Sequence, residues 1–513
     1  MASSEIGVTG FYKNKNIFIT GATGFVGVSL LEKILRSIPE HGDIYLLVRP
    51  KKGKEISERL EEIKKNSVFE TLFEEKSVEQ VFSKVRAVEG DVGQENLGLS
   101  ASDRQLLTEN IDVIFHSAAT LDFGDTLKTT VNINLLGTRR ITELAKECRH
   151  LAVLVQVSSA YVNSYRLDAD EVIYPLPRDA DELIATIEKL SPQELEEETP
   201  KLLGNHPNTY TITKHMAEHE IQKCENLFPC VIVRPSMIIG SWKEPSPGWT
   251  ISKNGPQGFL MGAAKGVIRR LPVAVDLIYD YIPIDIVVNT LLVAGFHAGQ
   301  VKSTKVEIYH ATSSTRQPFR WAAVENGISD YLHKYPLKSA VWYPRLKFLP
   351  SITWYRISAL FVHLFPAIIL DTVTRLTGGR PILMKLHRNV NNSLGMLEKF
   401  IFTEWRFTAE KTSELQKWLT EDDKRHFNLD LSDLKWDEYF VDLTLGARIY
   451  LNKDPKKTLD DARTKDKLLF VLHIFWQVLV ISFIWYIFAC IIGKSMYSSV
   501  IIVPVIYFLF QLL

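Results

Sequence analysis

Three glycines in the stretch NIFITGATGFVGVSLLEKIL stand three residues apart, at Gly21, Gly24 and Gly27, between a short apolar run and an amphipathic stretch of helical period. A strand that ends in a tight glycine turn and passes straight into a helix makes an anion site. The missing side chains let the backbone come close, and the first helical turn offers free N–H groups and the positive end of the helix dipole. The turn predicts a pyrophosphate cradle built by Gly21, Thr23, Gly24, Phe25, Val26 and Gly27. It also narrows the fold to a parallel sheet wound with helices.

The sequence up to Cys230 agrees. DIYLLVR, KVRAVEGD, IDVIFHSAA, LAVLVQVSS and CVIVRPS are short apolar runs separated by helix-length amphipathic stretches. Such runs read as buried parallel strands with crossover helices. The expected fold class is α/β, a doubly wound Rossmann-type parallel sheet, with a smaller α-helical C-terminal domain and a C-terminal transmembrane segment. An acidic insertion, 164–208, reads as a solvated helical excursion that also serves as a substrate flap. Past Gln317 the alternation stops and helical patterns take over. The expected domains are 11–344 for nucleotide binding, 345–452 as a helical domain, 453–467 as a basic linker and 468–513 as a membrane anchor.

Leu468 to Ile492 contains no Asp, Glu, Lys or Arg. As a helix it is long enough to cross a hydrocarbon core of about 30 Å. A second apolar run, Val500 to Leu513, carries Pro504; a return pass and a surface position are both open for it. Lys453, Lys456, Lys457, Arg463, Lys465 and Lys467 precede the first run and only Lys494 follows it closely. The positive-inside rule then places the bulk of the chain in the cytosol. The N-terminus has no secretory pattern. The four cysteines form no metal-like set, as in a reducing compartment. Lysines plus arginines equal aspartates plus glutamates at 60 each, without the basic excess that a nucleic-acid partner requires.

Two groups of residues speak to chemistry. After the second strand, where an NAD site carries an acid for the ribose hydroxyl, this chain has Arg49, Lys51 and Lys52. Cations there pair with a 2′-phosphate, so the expected cofactor is NADPH, read chiefly by Arg49 with Lys52. Further on, Tyr210 and Lys214 are four residues apart on a predicted helix and share a face. A neighbouring ammonium is expected to lower the phenol from its usual pKa of about 10. That poises Tyr210 to trade a proton with a substrate oxygen, and Lys214 can also grip the nicotinamide ribose. His215 and His219 lack a third ligand, are expected on the outer side of the helix, and no metal is expected.

The glycine spacing resembles that of the extended short-chain dehydrogenase/reductase superfamily. The resemblance implies further roles. Asp91, followed by Val92, matches the adenine-contacting acid, and a plain turn residue is the other reading of it. Ser117, Ala118 and Ala119, in HSAAT, match backbone that passes under the cofactor. Ser159, with Ser158 as the second choice, matches the catalytic hydroxyl; Arg234, Pro235 and Ser236 resemble the segment that closes over the nicotinamide.

Longer segments are more discriminating: PKLLGNHPNTYTITKHMAEHE, IVRPSMIIGSWKEPSPGW, DYIPIDIVVN and KWDEYFVDLTLGARIYL. Over nearly its whole length the chain resembles the alcohol-forming fatty acyl-CoA reductases, particularly those of arthropods. That resemblance implies reduction of a fatty acyl-CoA by two NADPH through an aldehyde, and a membrane-associated tail in the peroxisomal membrane or endoplasmic reticulum. The partners implied are the acyl-CoA and the lipid bilayer; oligomeric state, a homo-oligomer included, stays open. The alternatives weighed are a membrane-bound hydroxysteroid or sterol dehydrogenase and a non-catalytic cofactor-binding scaffold.

Overall fold

The computed structural model describes residues 6–50 and 53–512. The chain forms two compact units: Met1–Ile251 with Ile278–Phe319 and Glu404–Lys435, and Ser252–Leu277 with Arg320–Thr403 and Trp436–Leu513.

The first unit is built on seven parallel strands: β1 Ile17–Thr20, β2 Ile44–Val48, β3 Val85–Glu89, β4 Val113–His116, β5 Val153–Val157, β6 Cys230–Pro235 and β7 Glu307–Ala311. Their order is β7-β6-β5-β4-β1-β2-β3, so the winding reverses between β1 and β4. Every residue of β1, β2, β4, β5 and β6 is buried, because helices cover both faces. This is why these strands read as unbroken apolar runs rather than alternating ones. The doubly wound sheet is therefore as expected, with β7 as an additional strand.

Among the helices of this unit are α1 Phe25–Ser37, α2 Gly137–Glu147, α3 Thr209–Gln222 and α4 Ile284–Val301. α4 has the length and hydropathy of a membrane span, yet 83% of it is buried in this unit. It is core. The acidic insertion is more than a solvated excursion. Its helices, Ala180–Lys189 and Pro192–Leu203, bury Leu183, Ile187, Leu195 and Leu202 against Leu127, Val131, Ile212 and Met216.

The units do not follow the sequential boundary at 344, because strand pairing interleaves the chain. Arg270–Pro272 pairs with Lys347–Leu349 in the second unit. Arg406–Phe407 returns to pair with Asp168–Ala169 in the first, and the Trp405 indole donates to the Ser164 carbonyl at 3.2 Å.

The second unit is mainly helical. α5 Ile352–Leu376 is continuous, with a π-helical turn over Leu360–Leu364. α6 Leu383–Ile401 comes next, and α7 Leu459–Ile491 contains the expected apolar tail segment. Among the described residues, α5 and Lys456–Ile491 are apolar and long enough to cross a membrane, and only 22% and 17% of their most apolar windows are buried. After a turn at Gly493, where φ is +65°, the last apolar run forms α8, Val503–Leu512, packed on α7.

Candidate active site

The glycine turn has the geometry of a cradle. Gly21 adopts φ +72°, and a Cβ there would stand 2.8 Å from the Ser117 hydroxyl and the Ala118 nitrogen. A Cβ on Gly27 would stand 2.2 Å from the Gly21 carbonyl. Gly24 begins α1 with no side-chain cap, which leaves the first-turn N–H groups of Phe25, Val26 and Gly27 for a ligand. The Phe25 ring packs on Trp249, so Phe25 offers its backbone to the turn; Thr23 is exposed at the rim. Gly27→Ala is expected to cost about 1–3 kcal/mol through this overlap. Dinucleotide affinity, read by titration of cofactor fluorescence, should fall with it.

The ends of β1 and β4 are tied together at the point where the winding reverses, the usual place for a ligand crevice. Ser117 Oγ donates to the Thr20 carbonyl at 2.8 Å and the Ala118 N–H to Thr20 Oγ1 at 3.2 Å. His116 bridges Thr20 Oγ1 at 2.7 Å and Thr138 Oγ1 at 3.1 Å. Burial, helped by the charge of Lys214, pushes His116 down to about 3, so it stays neutral. Ala119 is half-buried beside this knot.

Arg49 is exposed directly after β2 and pairs with no acid among the described residues. Lys51 and Lys52 lie outside the described residues. Asp91 accepts the Gly93 N–H at 2.9 Å and shapes its own turn, and the buried Val92 carbonyl accepts from Arg140 at 2.9 Å.

The chemical groups gather along one stripe of α3. Tyr210, Lys214 and Glu218 are successive fours on that helix and all are buried. The Ser159 hydroxyl, two residues past the end of β5, is brought beside the Tyr210 phenol and acts to lower its pKa. Lys214 Nζ donates to the Val157 carbonyl at 2.6 Å, and Ser158 Oγ donates to Glu218 Oε1 at 2.6 Å. Ser159, the first choice in the sequence, is thus the hydroxyl brought to Tyr210, whereas Ser158 is committed to Glu218. The Phe123 ring lies 6.0 Å from that of Tyr210.

Three expectations need correction. The Tyr210 phenol is not lowered: burial pushes it up to about 12, against a lowering from Ser159. It is a protonated donor at neutral pH. Burial lowers Lys214 to about 8, with Glu218 opposing. Next, the Arg234 guanidinium turns into the protein. It is fully buried; Nε and Nη2 clasp the two Glu218 oxygens at 2.8 and 2.7 Å. Its other donors reach the Asp170 and Val172 carbonyls. Finally, His215 is buried rather than on an outer face. His215 and His219 both point Nε2 at the Tyr174 carbonyl, at 3.0 and 2.9 Å, and hold the insertion on α3.

Glu218 was not singled out from the sequence, and neither was Asn134. The latter lies in a π-helical turn, Val131–Leu136. Its side-chain oxygen accepts the Thr120 N–H at 2.9 Å and its nitrogen donates to Thr213 at 3.2 Å, which joins the β4 loop to α3. The Ser236 hydroxyl, just past buried Pro235, is buried with no partner among the described residues. A cradle that excludes side chains, an uncommitted Arg49 and an orphaned Ser236 hydroxyl together fit a nicotinamide dinucleotide.

Known proteins resemble the chain over most of its length. Residues 19–291 match the model of a family described as male sterility protein, and residues 362–454 match a second model of that description. The chain is 52% identical over 519 residues to a Drosophila melanogaster protein provisionally named a fatty acyl-CoA reductase, covering 100% of both. It is 34% identical to Homo sapiens fatty acyl-CoA reductase 1 over 484 residues, 94% of this chain and 93% of that one. Among solved structures, the terminal R domain of the myxalamid PKS-NRPS pathway aligns with TM-score 0.54 at 20% identity, over 86% of this chain and 93% of that one. The reductase domain of a Mycobacterium tuberculosis non-ribosomal peptide synthetase gives 0.55 at 17%, over 86% and 92%. These two likenesses carry the fold.

Proposed function

The chain belongs to the fatty acyl-CoA reductase family, and on that premise we propose that it reduces a long-chain fatty acyl-CoA to the primary alcohol. The reaction consumes two NADPH and two protons, passes through an aldehyde and releases CoA. The observation that carries the reading is the Ser159 hydroxyl brought beside the Tyr210 phenol, on the helix stripe that also carries Lys214. It lies at the same sheet edge as the glycine cradle, since His116, tied to Thr20, feels the Lys214 charge.

Gly21 to Gly27 and the first turn of α1 would hold the pyrophosphate, Arg49 the 2′-phosphate and Ser236 a polar edge of the nicotinamide half. NADPH, when bound, supplies hydride. Ser159 and Tyr210 both present O–H groups that meet the thioester oxygen as charge builds on it. Return of that charge to carbon breaks the C–S bond and expels the CoA thiolate. For the aldehyde, the protonated Tyr210 gives its proton to the new alkoxide, and the Lys214 ammonium steadies the phenolate left behind.

The test is mass-spectrometric product analysis of the full-length protein with NADPH and a panel of acyl-CoAs, with a ketosteroid in parallel. Alcohol and free CoA are expected from the acyl-CoAs alone; consumption of NADPH only with the ketosteroid would overturn the reading.

Arg49→Ala is expected to raise KM for NADPH by roughly 10–100-fold, as for loss of hydrogen bonds to a charged group worth about 1.5–3 kcal/mol. KM for NADH should hardly move. Steady-state kinetics with both cofactors checks this.

The pH profile is set by Lys214, which is lowered to about 8. The ammonium is the active form, so kcat should be flat below that value and fall as pH rises through it. Lys214→Arg should move the falling limb beyond the measurable range.

For its setting, the reading is a protein anchored through α7 and α8 in a peroxisomal or endoplasmic-reticulum membrane, with the reductase unit in the cytosol. The six basic residues before the apolar run support this orientation. Protease protection on isolated organelles tests it: the first unit should be digested without detergent.

A further inference from the structure

We propose that the α5–α6 hairpin is a second bilayer contact, lying within the cytosolic leaflet of an anionic membrane beside the anchor formed by the tail. The proposal does not depend on the reaction the enzyme carries out.

α5 is turned inside out relative to a soluble surface helix, which buries its apolar stripe and wets its polar one. Its buried stripe carries the polar Ser358, His363 and Asp371 among Ile352, Tyr355, Ala359 and Ala367. Its exposed surface carries Leu360, Phe361, Phe365, Ile368, Val373 and Leu376, with Phe365 at 62% and Leu376 at 82% exposure. At 100° per residue these positions spread round more than half of the helix circumference. A protein partner would cover one face of such a rod; acyl chains cover all of it.

The charges agree. The hairpin, Ile352 to Ile401, has six basic residues, Arg356, Arg375, Arg380, Lys385, Arg388 and Lys399, against the two acids Asp371 and Glu398. All six are exposed and none makes a close ion pair among the described residues, although the Arg375 charge acts on Asp371. Asp371 is already used: its carboxylate accepts the N–H groups of Ile382, Leu383 and Met384 at 2.8–3.1 Å and folds α6 back. Basic residues at the rim of an apolar helix are the pattern of an interfacial element on anionic lipid.

The depth is set by the tethers. His363, halfway along α5, accepts the Arg269 N–H at 3.0 Å and stacks on His387 of α6, with ring centroids 4.8 Å apart. A helix held to its own unit at mid-length dips into a leaflet and does not thread through. Strand Lys347–Leu349, which leads into α5, sits beside the anchor. Arg345 and Lys347 donate to the Gln511 side chain and carbonyl at 2.7 and 2.8 Å, and Trp342 donates to His473 at 3.3 Å. His473 is only about 8 Å along α7 from Leu468, at 1.5 Å per residue. α5 therefore starts at headgroup level.

The experiment uses full-length protein in vesicles of phosphatidylcholine and phosphatidylserine. Cys148 and Cys490 are replaced by Ser, and Cys224 and Cys230 are buried. An environment-sensitive dye is placed in turn at Phe365→Cys, Leu376→Cys and, as control, Glu197→Cys, an exposed position of the first unit. At 365 and 376 the emission should shift to the blue, and nitroxide lipid should quench it several-fold more strongly than iodide; at 197 the order should reverse. Free access of iodide to 365 and 376 overturns the proposal. So does protection from both quenchers, which would assign the face to a protein partner. Modification of the 376 cysteine only by a reagent sealed inside the vesicle would make α5 a span and overturn it too.

Discussion

Tyr210→Phe should lower kcat by about 10²- to 10⁴-fold, the range for loss of a positioned general acid, while NADPH still binds. The phenyl ring fills the same buried slot against Phe123, so the fold loses one hydroxyl and no packing. Nothing in the glycine cradle changes. Ser159→Ala removes the other donor to the thioester oxygen and should cost about 10²- to 10³-fold. Because the two hydroxyls are neighbours that act on the same oxygen, the double variant should fall short of the product of the single effects. Single-turnover reduction with NADPH fluorescence as the binding control checks the set. Unchanged turnover in Tyr210→Phe would remove the phenol from the reaction and leave the chain a cofactor-binding scaffold.

What sequence reasoning recovered and missed divides along a physical line. The glycine turn, the buried strands and the Tyr210–Lys214 pair are local patterns, each written within one element and its neighbour. They placed the sheet and the donor stripe. Arg234 was misread because its local segment, at the end of β6, does lie near the site. Only the tertiary structure shows that its guanidinium turns inward to Glu218, sixteen residues earlier on α3. Glu218 itself was legible in principle: an acid eight residues after Tyr210 continues the same helix stripe. The histidines failed for the opposite reason. His215 sits beside the Tyr210 stripe, and its burial comes from an insertion whose docking against α3 no local pattern announces. Interleaving of the two units was equally invisible, since two- and three-residue strands such as Arg406–Phe407 carry no periodicity. The rise of the Tyr210 pKa was missed because pairing with Lys214 is a spacing argument, whereas desolvation depends on everything packed above the ring.

Breaking the Glu218–Arg234 pair is the second large effect. Both side chains are 0% exposed. Arg234→Met should destabilise the first unit by about 3–5 kcal/mol, because it strands a buried carboxylate. Burial alone would raise that carboxyl; the Arg234 charge and hydrogen bonds overcome it and hold Glu218 below its ordinary 4.5. A carboxylate with a depressed folded pKa contributes stability that is complete above the unfolded value and is lost as pH falls through the folded one. The pair is thus intact at every pH above 4.5, whereas in Arg234→Met burial raises the unpaired carboxyl, so the defect should lessen as pH falls and Glu218 takes up a proton. Glu218→Leu added to Arg234→Met removes the stranded charge and should recover part of the loss. Recovery stays partial, since Ser158 then loses its acceptor and the Asp170 and Val172 carbonyls their donor. Arg234→Lys should rescue poorly, as one ammonium cannot clasp both carboxylate oxygens and reach two carbonyls. Denaturant unfolding followed by tryptophan fluorescence measures the series. The decisive comparison is between the single and double variants: if Arg234→Met is no less stable than the double variant, the carboxylate is not stranded. The pair would then be packing rather than the electrostatic clamp that fixes α3, and with it Tyr210 and Lys214, to the end of β6.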